Sequence, residues 1–96
     1  MTRAVVVRYR TRPDAADENE RLVRAVFDEL ASTRPEGLRY SVFRLDGGTF
    51  VHVAVIEGDT NPLDTVQAFQ AFASGVGGRC EEGPSPLAGH TVGSYP

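Results

Sequence analysis

The segment Thr49-Phe-Val-His-Val-Ala-Val-Ile56 constrains this chain more than any other, because it is apolar on both of its alternating faces apart from Thr49 and His52. Successive side chains of a strand point to opposite sides, so a run of this kind predicts a central strand covered on both faces. It follows Asp46-Gly47-Gly48, a turn that needs positive φ, and an extended stretch over 38–45. Residues 38–56 therefore read as a β-hairpin. A chain of 96 residues supports one domain, 1–96, with one modest core. Such a chain is too short to cover both faces of that strand by itself. A second copy would finish the job, and a homodimer is expected.

The remaining elements arrange themselves around the hairpin. Residues 3–11, Arg-Ala-Val-Val-Val-Arg-Tyr-Arg-Thr, alternate as a strand with Val5, Val7 and Tyr9 on one face and Ala4, Val6, Arg8 and Arg10 on the other. Pro13 ends it. A helix is predicted from about Ala15 to Thr33, with Asp14 or Asp17 as N-cap and Asp17/Glu20 as a capping box. Its apolar stripe is Leu22, Val23, Val26, Phe27 and Leu30. Asn61-Pro62 predicts the start of a second helix that Gly75 ends. Residues 75–86, rich in glycine and proline, predict a loop with a short extended piece, and 88–95 a fourth strand. The order βαββαβ predicts an α+β, ferredoxin-like fold, an antiparallel sheet of order 4-1-3-2 with both helices on one face.

Composition removes several functions. No apolar run approaches the roughly 20 residues of a membrane span, and no secretory signal opens the chain, so a cytoplasmic protein is expected. The net charge is −3, and no basic patch interleaved with aromatics occurs, which argues against nucleic-acid binding. All ten basic residues are arginine, so Schiff-base chemistry has no lysine to use. Cys80 has no second thiol for a disulfide or a Cys-x-x-Cys pair, and Cys80-Glu81-Glu82 are adjacent rather than spaced as metal ligands are. Neither a metal nor a cofactor is expected. The glycines at 75, 77 and 78 open no helix after a strand, so they make no phosphate loop.

Four residues are candidates for a site. His52 interrupts the apolar strand and could act as general base or hold an oxyanion, or be a buried histidine satisfied by a partner. Arg8, with Arg10 on the same face, could clamp an anion or form a surface ion pair. Tyr40, like Tyr9 and Tyr95, offers a phenolic hydroxyl. His90, on the fourth strand, sits one strand removed from the third, about 10 Å from His52 at strand spacing, too far to share a metal but near enough for a ligand to bridge.

The strand Val5-Val-Val-Arg-Tyr9, the helix ending before Gly37, the segment Tyr40-Ser-Val-Phe43 and the turn into Thr49-Phe-Val-His-Val53 resemble the dimeric α/β-barrel superfamily, and within it antibiotic-biosynthesis-monooxygenase-like proteins and their small uncharacterised actinobacterial members. The resemblance implies two facing sheets, a small-molecule pocket and, in some members, oxidation of electron-rich aromatic or polyketide-type compounds without metal or flavin. It implies His52 as the group that removes a phenolic proton, with Arg8 or Tyr40 steadying the anion. The chain departs from that pattern in having no tryptophan, with Ile56 where one often follows the third strand, and only two asparagines, Asn19 and Asn61. A non-catalytic small-molecule-binding or protein-interaction dimer is the alternative expectation.

Overall fold

The computed structural model describes residues 2–96. β1 (Thr2–Thr11) leads through a 3-10 turn (Pro13–Ala15) into α1 (Ala16–Thr33); β2 (Leu38–Arg44) and β3 (Thr49–Glu57) form the hairpin; α2 (Gln67–Arg79) and β4 (Cys80–Gly89) complete the chain. The sheet has order β2-β3-β1-β4 and every neighbouring pair is antiparallel. This is the ferredoxin-like α+β arrangement that the order of elements implied.

The hairpin closes on Gly47 and Gly48, whose φ values of 75° and 83° only glycine adopts without strain. Gly48 also lies tight against Thr11 of β1, where a Cβ would stand 3.1 Å from Oγ1 and 3.3 Å from the carbonyl oxygen. In β3 the alternation is plain: Phe50, His52, Ala54 and Ile56 are buried, while Val51, Val53 and Val55 are half-buried. The buried set meets Val23 and Val26 of α1 and Phe72 and Val76 of α2 in one core, so both helices lie on that face. No helix or strand of the described residues covers the other face of β3, where Val53 and Val55 border a depression together with residues 91–95.

Four local expectations are corrected. Helix α1 has Ala15 at its N-cap with no side-chain cap, because Asp17 and Glu20 both turn to Arg44 of β2, at 3.0 and 2.8 Å. Asn61 caps a 3-10 turn (Pro62–Thr65) rather than α2 itself. The first free N–H groups of α2, at Gln67 and Ala68, are taken by the Glu29 carboxylate of α1 at 3.0 and 2.9 Å, a cap that sequence proximity could not reveal. Helix α2 then runs through Gly75, Gly77 and Gly78 to Arg79; glycine costs about 1 kcal/mol per helical position, and the burial of Val76 between them offsets part of that cost. In consequence β4 begins at Cys80, eight residues before the predicted start at 88, and its Pro84 and Pro86 are tolerated because it is an edge strand.

Candidate functional site

Register decides which side chains meet. Val7 of β1 and Val42 of β2 both pair with His52, and Val5 and Tyr40 both pair with Ala54, so Val5, Val7, Tyr9, Tyr40, His52 and Ala54 all point toward the helices. They form the sheet-side wall of a cavity of about 280 Å³ whose helical wall includes Leu63, Phe69, Phe72 and Val76. The lining is mainly aliphatic and aromatic. Apart from Asn61, which is bonded to the Leu63 N–H, its polar groups converge at one place.

That place is the His52 imidazole, which is held at both nitrogens. Nε2 lies 2.7 Å from the Tyr9 hydroxyl and Nδ1 lies 2.6 Å from the Tyr40 hydroxyl. Phe72 stacks on the ring at 5.3 Å between centroids, and Phe27 stacks on Tyr40 at 5.1 Å. Two further residues extend the chain of contacts. Asn19 of α1 donates from Nδ2 to the Tyr9 oxygen at 2.9 Å, and Arg79, the last residue of α2, donates from Nε to Asn19 Oδ1 at 3.0 Å. The guanidinium is itself placed by the Phe72 carbonyl at 3.2 Å and by the Phe72 ring, 5.3 Å beneath it. Asn19 is 0% exposed, Tyr9 2% and His52 6%, so none of these groups could remain without partners.

Burial also sets their charge. It lowers His52 to about 4 and pushes Tyr9 up to about 12, the latter against the opposing influence of the Asn19 hydrogen bond; it raises Tyr40 as well. At neutral pH the imidazole and both phenols are uncharged. The arrangement is a set of neutral, oriented dipoles at the edge of an apolar cavity.

Of the sequence candidates, His52 and Tyr40 are brought together here and the other two are not. Arg8 points to the opposite face, opposite Val51, and stands 3.9 Å from Glu82; Arg10 reaches Glu81 and Glu82 at 3.4 Å each, so the arginines of β1 meet the acidic start of β4. His90 follows the end of β4, exposed, because that strand spans 80–89. No group of three or more His, Cys, Asp or Glu side chains that could hold a metal occurs among the described residues. Asn19 and Arg79 were not anticipated as members of the site. Asn19 could have been found from helical spacing, since it continues the buried stripe of Val23 and Val26 back by one turn.

A larger depression, about 810 Å³, lies on the opposite face under residues 91–95, bordered by Arg39 and Glu57 as well as by Val53 and Val55.

No protein-family model matches the sequence, and no curated protein does. Solved structures of like fold do. A Mycobacterium tuberculosis protein is 22% identical with a TM-score of 0.77, covering 100% of both chains. Two proteins provisionally named as antibiotic biosynthesis monooxygenases have the same fold: one from Nitrosomonas europaea (12% identity, 95% of this chain and 90% of that one, TM-score 0.76) and one from Caulobacter crescentus (17%, 96% and 91%, TM-score 0.72). At these identities the likeness is one of fold.

Proposed function

We propose that this chain is a small-molecule enzyme of the cofactor-independent monooxygenase type. Its substrate, a small electron-rich aromatic or polyketide-type compound, would lie in the helix-side cavity with its oxygen on the Tyr40 hydroxyl. The observation that carries this reading is the Tyr9–His52–Tyr40 triad, a hydrogen-bonded polar cluster in a cavity whose other side chains, Asn61 apart, are apolar. The reaction type is drawn by analogy from the names of two structures of like fold.

In this proposal the roles within the site differ from those the resemblance implies. His52 has both nitrogens occupied and its proton affinity is depressed by burial, so it is poorly placed to take a proton from a substrate. It serves instead to hold Tyr40, the group that meets the ligand. A hydroxyl fixed in a low-dielectric wall stabilises the phenolate or enolate form of a substrate, the form that gives electrons to dioxygen. In the overall reaction one oxygen atom enters the substrate carbon and the other leaves as water, with the substrate supplying the electrons and hydrogens.

Oxygen uptake with hydroquinones and anthrones is the test. Tyr40→Phe should lower turnover by about 10²–10³-fold, as loss of one positioned donor does. Turnover unchanged in that variant rules out the assigned role. Saturable binding of these compounds with no oxygen uptake would favour the second reading, a non-catalytic binding protein; the occupied imidazole nitrogens are the observation on its side.

The proposal includes a second copy of the chain. Val6, Val51, Val53 and Val55 lie on the sheet face away from the helices, with Phe43 and Leu87, which are 53% and 69% exposed. A homodimer packed through these residues would bury them. A monomeric mass in solution at micromolar concentration would contradict it.

A further inference from the structure

The buried hydrogen-bond chain has a direction, and one end of it is fixed. A guanidinium only donates, so the Asn19 oxygen must face Arg79 and its amide nitrogen must face Tyr9. The Tyr9 oxygen therefore accepts from Asn19. Its own proton is left for His52 Nε2, 2.7 Å away. A neutral imidazole carries one proton, which then sits on Nδ1 and is donated to the Tyr40 oxygen at 2.6 Å. The Tyr40 proton is the one left over, and Tyr40 borders the cavity. In the opposite polarity the unpartnered proton would belong to Tyr9, which also lines the cavity but is only 2% exposed, whereas Tyr40 is half-buried and better able to present its proton to a ligand or solvent.

We propose that Asn19 and Arg79 are positioning residues that set the polarity of the Arg79–Asn19–Tyr9–His52–Tyr40 chain, hold His52 as the Nδ1–H tautomer, and so select ligands that present a hydrogen-bond acceptor to Tyr40. The ligand class is a compound with a carbonyl or ionised phenolic oxygen on an otherwise apolar frame. The ligand part rests on the cavity reading above; the tautomer does not. Asn19 acts on the ligand from three hydrogen bonds away, by deciding whether Tyr40 offers a proton or a lone pair.

The tautomer is read from the imidazole nitrogens of the ligand-free, ¹⁵N-labelled chain at neutral pH. The wild type is expected to show a protonated Nδ1 and a bare Nε2. Asn19→Asp replaces the donor facing Tyr9 by an acceptor while keeping a partner for Arg79, so every bond in the chain should reverse and the proton should appear on Nε2. Acetophenone, which only accepts, and phenol, which accepts or donates, then serve as probes. Asn19→Asp should weaken acetophenone by about tenfold relative to phenol, the scale of a hydrogen bond replaced by two facing acceptors.

A wild-type Nε2–H tautomer, or an unchanged tautomer in Asn19→Asp, overturns the polarity. Failure of both probes to bind the wild type overturns the ligand selection and the cavity reading while leaving the tautomer assignment standing. If Asn19→Asp does not fold, Arg79→Gln replaces it: a side-chain amide can face Asn19 either way, both tautomers should then be populated, and a single Nδ1–H form would overturn the role of Arg79.

Discussion

The two faces of the sheet are made from the same strands, residue by residue in alternation, and they are built on different rules. The face toward the helices carries Tyr9, Tyr40 and His52 among aromatic and aliphatic neighbours, and every one of those polar groups has a partner. The face away from them carries valines, with Phe43 and Leu87, and near one end arginines paired to Glu81 and Glu82. A face that the chain's own helices cover can hold polar side chains in fixed geometry, since burial forces them to find partners. A face left open gains nothing from such groups and is suited to association instead. On the proposed reading, chemistry and assembly are separated by the thickness of one sheet.

The sharpest way to break this comparison is to truncate neighbours that point to opposite sides. Phe50→Ala should cost about 3–5 kcal/mol in urea unfolding, since Phe50 is 1% exposed and stacks on Tyr9 at 5.6 Å. Comparable losses on removing Val51 would mean that both faces are equally buried. Acid comes next. Folding lowers His52 from 6.5 to about 4, so the unfolded chain binds more protons between those values. Stability is fully present above pH 6.5 and falls as the pH drops toward 4, by up to about 3 kcal/mol at 1.36 kcal/mol per pH unit. The pH dependence of the unfolding midpoint measures it, and His52→Gln should remove that part of the slope.

Tyr9→Phe should cost about 1–3 kcal/mol, because it leaves Asn19 and His52 without the oxygen between them, with little change in packing. The smallest effect belongs to the open face. Val53→Thr should change the stability of the isolated chain by less than about 1 kcal/mol while weakening self-association, seen as a shift in sedimentation with concentration. An equal effect on both would show that this face is not an interface.

How much of this was legible depended on the range of the interaction. The hairpin follows from alternation and from a turn that requires glycine at Gly47 and Gly48, and the sheet order from the order of the elements, whereas the choice between Arg8 and Tyr40 as the neighbour of His52 needed the register. The long α2 and the early β4 were not legible. Gly75, Gly77, Gly78, Pro84 and Pro86 read locally as punctuation, whereas the burial of Val76 and the edge position of β4 are tertiary facts. The same limit hid Arg79, which meets Asn19 across 60 positions of sequence. Asn19 itself was hidden by habit rather than by distance, since an asparagine one turn into a helix is read as a surface residue until its place on the apolar stripe is noticed.

Gly75 shows how loosely this site is tied to the fold that carries it. A helical glycine invites replacement by alanine in any effort to raise thermal tolerance, with a gain of about 0.5–1 kcal/mol where the site is open. Here a Cβ would stand 2.8 Å from a guanidinium nitrogen of Arg79, the far end of a flexible side chain that can swing aside only by giving up its contacts with Asn19 and Phe72. The helix would survive and the guanidinium would leave Asn19. The gain in helix propensity would then be offset by the buried Asn19 oxygen left without its donor, at about 1–3 kcal/mol, and a modest net change in melting would conceal a lost orientation of the Tyr40 hydroxyl.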